Sequence, residues 1–198
     1  RKNYKQFIII YMLARHNKIN FLLNMKLPMD SETTKPRLLK NGKKITNLFG
    51  GLPTSTLPSY GIYHNSVNAT VGNENRVSNN LIYSLNGNGA SYGIYNSSSA
   101  GVNYYHNTIA LDDVASVANG ATVGFYQTGA ATGLQFINNN IYISRSGLAA
   151  KHGLFFATTT SDITSNYNDI YINATGTNSR FGRLGSTDYT TLAAWQAG

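Results

Sequence analysis

The sequence predicts an all-β solenoid, a stack of four to five similar units of about 30 residues each. The first observation behind this prediction is a short string centred on a glycine. SYGIY occurs at Ser59–Tyr63 and again at Ser91–Tyr95, and related strings follow at Val123–Tyr126 and His152–Phe155. A weaker form of the string occurs at Phe181–Leu184. The glycines of the five strings are 32, 31, 29 and 29 residues apart, and they are Gly61, Gly93, Gly124, Gly153 and Gly182. We expect these glycines to serve a corner between strands.

A second string keeps the same step and carries an asparagine in its third place. The four copies are VSNNLIY, YHNTIAL, INNNIYI and NYNDIYI, and their asparagines are Asn79, Asn107, Asn139 and Asn168. The two-residue alternation of a strand places Asn139 on one face with Ile141 and Ile143. A single buried amide is costly, but stacked amides can bond to one another. We therefore predict a structural asparagine ladder, at a tight corner whose left-handed backbone asparagine tolerates.

Each unit contains three short β segments. Besides the glycine strand and the asparagine strand, a middle segment places Val102, Leu134 and Ile163 at one common offset. Gly, Asn and Ser turns join the segments, and no apolar period of 3.6 residues survives across them. A four-bladed propeller needs four strands per blade and a leucine-rich solenoid needs a leucine frame, so both are less compatible with the pattern.

The repeat over residues 59–185, written GΦΦ…ΦxNNxΦxΦ with Φ apolar, resembles a right-handed parallel β-helix of the pectate-lyase-like superfamily. Residues 188–196 are similar to the Tyr…Leu…Trp segment that follows such coils in large secreted bacterial surface proteins. The resemblance implies β-helix coils over residues 51–187 and a truncated helical cap over 188–198. In that cap Asp188 or Thr190 would begin a helix, and Leu192 and Trp195 would cover the open coil end. It also implies an extracellular or cell-surface location in a bacterium, in a chain that is a fragment.

The net charge of +8 is concentrated in residues 1–50. This segment holds eleven Lys and Arg against two acids, whereas residues 51–198 hold five against six. The nearly neutral repeat body argues against a nucleic-acid partner. We predict that residues 1–50 are a basic leader, poorly ordered or not native to the fold, with a helix over Tyr4–Ala14. The chain has no cysteine and no apolar run long enough to span a membrane.

The residues that could carry chemistry are few. Asp112 and Asp113 form the only acidic pair and could bind calcium or act as an acid, although adjacent carboxylates in a loop more often favour a turn. Calcium is the one cofactor we consider. The histidines at 64, 106 and 152 occupy different offsets and form no ligand column. Lys151 and His152, beside Arg180 in the next unit, could form a small basic spot for a uronate.

A row of aromatic residues is the best candidate binding surface. Tyr63, Tyr95 and Tyr126 fall in register, each two residues after its glycine, and Phe155 continues the row. If Ile62 and its equivalents point inward, this row points outward, where sugar rings could stack on it. The opposing interpretation is that loops cover the row or that the row belongs to the core.

Two functions follow from these observations. The first is a non-catalytic scaffold or glycan-binding and adhesive module, with a polysaccharide or cell-surface glycan as its partner. The alternative is a fragment of a polysaccharide lyase or glycoside hydrolase that acts on acidic polysaccharide. Enzymes of the resembled family use clustered Asp with calcium and an Arg or Lys base. The six acids of the repeat body are scattered in offset, which favours the first function.

Overall fold

The computed structural model describes residues 11–13, 20–22, 44–45, 53–117, 120–174 and 178–198. It is an all-β parallel solenoid of about four turns, with about 29 residues per turn and one short C-terminal helix. This confirms the predicted fold class. Among the described residues, no helix has the length and apolar character needed to cross a membrane.

The described elements follow one another in a regular order. They are β1 (Tyr11–Leu13), β2 (Asn20–Leu22), β3 (Lys44–Ile45), β4 (Ser59–Asn65), β5 (Asn75–Ser78), β6 (Leu81–Ile82), β7 (Ser91–Ser97), β8 (Val102–Tyr105), β9 (Thr108–Leu111), β10 (Thr122–Gln127), β11 (Leu134–Ile137), β12 (Asn140–Ile143), β13 (Lys151–Phe156), β14 (Ile163–Asn166), β15 (Asp169–Ile172), β16 (Ser179–Leu184), β17 (Thr187–Tyr189) and α1 (Leu192–Ala197).

Three parallel sheets form the walls of the solenoid. The first sheet has the order β17-β16-β13-β10-β7-β4, the second β14-β11-β8-β5 and the third β15-β12-β9-β6-β3. Every pairing in these sheets is parallel except that of β16 with β17. Each coil thus adds one strand to each sheet, and each strand pairs with its equivalents in the neighbouring coils.

Columns of apolar side chains from all three sheets fill the interior. In the first sheet Ile62 pairs in register with Ile94, Ile94 with Phe125, and Phe125 with Leu154. These four side chains are at most 2 % exposed. The other sheets add a set that is at most 1 % exposed: Val77, Ile82, Val102, Tyr104, Ile109, Leu111, Leu134, Phe136, Ile141 and Ile143. Burial of this continuous apolar surface is the main stabilising term of the fold.

The glycine column lies within the first sheet, not at a corner as the sequence suggested. A Cβ atom on Gly61, Gly93, Gly124 or Gly153 would come within 2.3–2.6 Å of the Cγ2 of an isoleucine in the third sheet of the same coil. Those isoleucines are Ile82, Ile109, Ile141 and Ile170. The glycines are therefore required because any larger residue would collide with the opposite wall of the core.

Trp195 closes the C-terminal end of this arrangement. Its ring packs over Gly182, with Cζ3 2.5 Å from where a Cβ would stand. Gly182 pairs in register with Leu154, so it does not continue the glycine column as the sequence suggested, and the Trp195 ring covers a position where the earlier coils carry a core side chain. It also packs on Phe156, Phe181 and Tyr189 at centroid distances of 5.5, 6.2 and 5.3 Å.

Two sequence-based details of the cap are wrong. The N-cap of α1 is Thr191, whose Oγ1 accepts a hydrogen bond from the Ala194 N–H at 3.2 Å, not Asp188 or Thr190. Leu192 is 51 % exposed and does not cover the coil end.

Parts of the segment assigned to the leader take part in strands. β1, which falls inside the helix expected over Tyr4–Ala14, pairs antiparallel with β2. β3 pairs in parallel with β6 and extends the third sheet, so the stack reaches back at least to residue 44. The remaining residues of the assigned leader lie outside the described part of the chain.

An amide ladder runs along the corner between the second and third sheets. The Oδ1 atom of Asn107 accepts hydrogen bonds from the backbone N–H and the Nδ2 of Asn80, at 3.1 and 2.8 Å. Asn139 Oδ1 accepts the same two bonds from Asn107, both at 2.9 Å. Asn168 Oδ1 accepts them from Asn139 at 2.9 and 3.1 Å. The first three amides are at most 2 % exposed, so these bonds satisfy groups that water cannot reach.

The assignment of Asn79 to this ladder is wrong by one residue, because Asn80 occupies the place. Asn79 is exposed and has a left-handed backbone with φ of 56°. The residue before each of the other ladder amides has the same conformation, with φ of 53°, 55° and 53° for His106, Asn138 and Tyr167. The buried amide and the left-handed corner residue are therefore two adjacent positions, not one.

Two neighbouring asparagines give a matched test of this division. We expect Asn139→Ala to lower the free energy of unfolding by about 3–5 kcal/mol, because it leaves buried groups of Asn107 and Tyr104 unpaired. Asn138→Ala should cost only about 1 kcal/mol, the penalty of a left-handed alanine, and Asn138→Gly close to nothing. Urea unfolding followed by circular dichroism measures all three. Equal losses for Asn139→Ala and Asn138→Ala would contradict the ladder.

Candidate functional site

The outer side of the first sheet carries two columns of side chains, which we call the aromatic face. Since Ile62 and its equivalents lie in the core, the residues that follow them point outward. Tyr60 and its register partners also point outward, because Gly61 and Ile62 are two consecutive buried positions that interrupt the alternation of the strand. The first column, in register from strand to strand, is Tyr60, Tyr92, Val123, His152 and Arg180. The second is Tyr63, Tyr95, Tyr126, Phe155 and Arg183. The five tyrosines and Phe155 are half-buried, while Val123 and His152 are buried beneath them.

The rings of the aromatic face pack against one another along the solenoid axis, and two of the pairs are stacked. Tyr60 and Tyr92 lie 5.2 Å apart between centroids with planes 10° apart, and Tyr63 and Tyr95 lie 5.0 Å apart at 23°. Tyr126 continues the second column 4.9 Å from Tyr95. Stacked rings 5.0–5.2 Å apart leave no room for a third ring between them, so a sugar ring cannot stack flat between two rings of such a pair. What remains for a ligand is the outer edge of each ring, which includes its hydroxyl group.

The phenols of Tyr92 and Tyr95, in the middle of the aromatic face, are held in their neutral form. Burial raises the pKa of Tyr95 to about 12, and the surrounding tyrosines add to the shift because their phenolates would repel its own. Burial and the same kind of repulsion, from Tyr60 and Tyr126, raise the pKa of Tyr92. These hydroxyls therefore stay protonated at any physiological pH and can both donate and accept hydrogen bonds.

Charged residues end both columns on the C-terminal side. Asp188, on β17, faces three partners: its carboxylate lies 3.3 Å from His152 Nε2, 3.5 Å from Arg180 Nε and 3.6 Å from an Arg183 guanidinium nitrogen. The Arg183 guanidinium also lies over the Phe155 ring, 5.3 Å from its centroid. Two cations thus share one carboxylate at the edge of the aromatic face.

His152 in this cluster is a structural residue, not a candidate base. Burial lowers the pKa of its imidazole, although Asp188 opposes the shift. Nε2 contacts Asp188, and Nδ1 is buried without a hydrogen-bond partner among the described residues. Neither nitrogen is available to a ligand on the surface, so the ring cannot transfer a proton to or from one.

The carboxylates of Asp112 and Asp113 are occupied by the chain itself. Asp112 Oδ1 accepts the Ser84 N–H at 3.0 Å, and Asp113 Oδ2 accepts the Gly87 N–H at 3.0 Å. Asp113 Oδ1 also accepts the Ala115 N–H at 3.2 Å. Over the described ranges, no three His, Cys, Asp or Glu side chains converge as a metal site requires. The structure gives the two aspartates the role of joining one turn to the turn of the preceding coil.

The remaining basic candidates also have structural partners. Lys151 Nζ donates to the carbonyl oxygens of Gly147 and Ala149 at 2.6 and 3.1 Å, so it does not join Arg180 in a basic spot. His64 lies in the core with Nδ1 2.9 Å from the Tyr104 hydroxyl. His106 is exposed and lies at a left-handed corner of the backbone.

Several members of the aromatic face could have been found from the sequence. The first tyrosine of each SYGIY string, at positions 60 and 92, repeats at the same step as the predicted row. Arg183 follows in register from Phe155. Asp188 could not have been assigned, because its place depends on the reversal of the chain into β17. A third stacked tyrosine pair, Tyr142 and Tyr171 on the third sheet, has ring centroids 5.9 Å apart and was also missed.

Comparison of the chain with protein-family models, with curated proteins and with solved structures found no match. The likeness to the pectate-lyase-like superfamily therefore goes no further than the parallel β-helix architecture itself.

The buried His64 predicts a pH dependence of stability. Burial lowers its pKa to about 4 from 6.5, so between these values the unfolded chain binds a proton that the folded chain does not. The free energy of unfolding should therefore fall as the pH drops from 6.5 towards 4, by up to about 3 kcal/mol. His64→Asn, which introduces the residue found at the equivalent position 96, should remove most of this slope.

Urea unfolding at a series of pH values measures the effect. His152→Gln is the comparison variant. Burial also lowers the pKa of His152, but the Asp188 carboxylate opposes that shift. An unchanged slope in His64→Asn would show that the core histidine is not its source.

Proposed function

We propose that the chain is a non-catalytic β-helix segment of a secreted or cell-surface bacterial protein, whose aromatic face binds a polysaccharide or cell-surface glycan. The observation that carries the proposal is the pair of aromatic columns on one outer face, with five tyrosines on three adjacent coils. An uninterrupted row of half-exposed aromatic residues is typical of surfaces that bind extended ligands.

The contact we propose is with the edges of the rings. Ring edges are apolar and suit the C–H groups of a sugar, while the hydroxyls at those edges can exchange hydrogen bonds with sugar hydroxyls. The hydroxyls repeat from coil to coil with the spacing of parallel strands, about 4.8 Å. A polymer lying along the solenoid axis would meet a phenol hydroxyl at each of the three coils that contain β4, β7 and β10.

Two features favour binding over cleavage. The cleavage of a glycosidic bond in acidic polysaccharide calls for accessible carboxylates or a base that faces the ligand. Asp112 and Asp113 bond to backbone N–H groups, and Asp188 is shared among His152 and two arginines. These side chains are already used to hold the fold together.

Glycan-array retention tests the proposal. The double variant Tyr95→Ala with Tyr126→Ala should lose retention at least about tenfold, because it removes the centre of the second column. Tyr95→Phe with Tyr126→Phe keeps the rings and removes only the hydroxyls, so edge binding predicts a clear loss here too, whereas flat stacking predicts little. Tyr142→Ala with Tyr171→Ala, on the third sheet, is the matched control and should retain the glycan. Unchanged retention in the alanine pair of the first sheet would remove the aromatic face as the binding surface.

The non-catalytic part of the proposal has its own test. The protein is incubated with polygalacturonate and with alginate, with and without calcium, and the absorbance of unsaturated uronides is followed. We expect no product. Product that forms with the unmodified chain and is lost in Asp113→Ala would establish a lyase in place of a binding module.

A further inference from the structure

Tyr95 is the centre of an unusually dense group of phenols. The ring centroids of Tyr60, Tyr63, Tyr92 and Tyr126 lie 5.2, 5.0, 5.0 and 4.9 Å from its own. Tyr63 and Tyr95 are register partners on adjacent parallel strands, so the fold holds their rings side by side although they are 32 residues apart in the chain. The group is on the outer surface and is only half-buried.

This arrangement matches the requirements of oxidative phenol coupling. A phenol that loses one electron and one proton becomes a phenoxyl radical, whose unpaired electron is shared with the two ring carbons beside the oxygen. Those carbons flank the hydroxyl, at the outer edge of each ring. Two radicals held next to each other combine far faster than radicals that must first meet by diffusion.

We propose that the aromatic face is a site of tyrosine cross-linking, at which a peroxide-driven one-electron oxidant joins Tyr95 to Tyr63 through the ring carbons next to their hydroxyls. The oxidant removes one electron and one proton from each phenol, and a carbon–carbon bond forms between the two radicals. Each joined carbon then loses its hydrogen as a proton while its oxygen regains one, which restores both aromatic rings. One hydrogen peroxide takes up the two electrons and two protons and becomes two water molecules.

The cross-link would suit this fold for a physical reason. The chain contains no cysteine, so disulfides cannot fasten one coil to the next. A bond between Tyr63 and Tyr95 joins the coil of β4 to the coil of β7 and closes a loop of 32 residues. A covalent loop of this kind restricts the unfolded chain in the way that a disulfide does. The proposal concerns the chain itself and does not depend on a glycan ligand.

The cross-link can be located by peptide mapping. The full chain is treated with a haem peroxidase and hydrogen peroxide, the monomer is isolated, and it is digested at Lys and Arg. Tyr63 lies on the peptide 45–76 and Tyr95 on the peptide 77–145, so their cross-link joins two peptides with the loss of two hydrogen atoms. We expect this joined pair, together with dityrosine fluorescence and a higher urea midpoint.

Matched variants identify the partners. Fragment spectra identify which tyrosines are joined, because Tyr60 and Tyr92 are also register partners, with ring centroids 5.2 Å apart, and lie on the same two peptides. Tyr95→Phe and Tyr63→Phe should each remove the Tyr63–Tyr95 cross-link from the joined peptides, since phenylalanine forms no phenoxyl radical. Tyr105→Phe removes a tyrosine of the same peptide 77–145 that lies on the second sheet, and it should leave the yield unchanged. A yield that depends on Tyr60 instead of Tyr63 would overturn the assignment.

Oxidation in concentrated urea is the control for the fold. The joined peptides should disappear there, because only the folded chain places the two rings together. The same yield in urea, or cross-links found only between separate chains, would overturn the proposal.

Discussion

The structure depends on one constraint: every coil lies in register on its neighbour, so each residue meets its own equivalents above and below. At the spacing of parallel strands, about 4.8 Å, side chains in a column are in contact whether or not they attract one another. The columns are therefore filled by groups that pair well with copies of themselves. Amides do so because each carries both a donor and an acceptor, and the ladder from Asn80 to Asn168 uses both. Aromatic rings stack, and aliphatic side chains interlock.

The same constraint explains why the repeat body contains so few charges. Like charges opposite one another in a sheet are destabilising, so a charged residue cannot be repeated from coil to coil. On the aromatic face each arginine lies at the C-terminal end of its column, next to a residue of a different type. Arg180 is paired with the buried, largely neutral His152, and Arg183 with the ring of Phe155. Asp188, brought in by the antiparallel strand β17, then neutralises part of this charge from the side. In a solenoid of this kind, groups of opposite charge can therefore pair at the ends of the columns.

The sequence was sufficient to predict the period of the repeat and most of its columns, but not the position of the glycines or the first column of the aromatic face. The period, the three strands of each coil, the inward isoleucines and the outward tyrosine row all follow from spacing and from two-residue alternation. What spacing could not supply is the choice between adjacent residues at a corner: Asn79 and Asn80 are chemically identical, and only the backbone decides which one turns inward. Contacts that cross between coils outside the columns were also out of reach. The fully buried Arg145 donates to Thr122 and to the carbonyl oxygens of Gly87 and Gly89, from positions that share no repeat offset.

We infer that the aromatic face is more than a by-product of stacking. If tyrosine columns served stability alone, the outer sides of the other sheets would offer the same benefit. The second sheet instead places Arg76, Asn103, Gln135 and Thr164 in one outward column. The third sheet has a single exposed stacked pair, Tyr142 and Tyr171. Within the described strands the rings are thus concentrated on one sheet, where they adjoin its two unrepeated arginines. An uneven distribution of this kind is not required by the fold, and the proposed ligand, approaching from that side, would give it a physical reason.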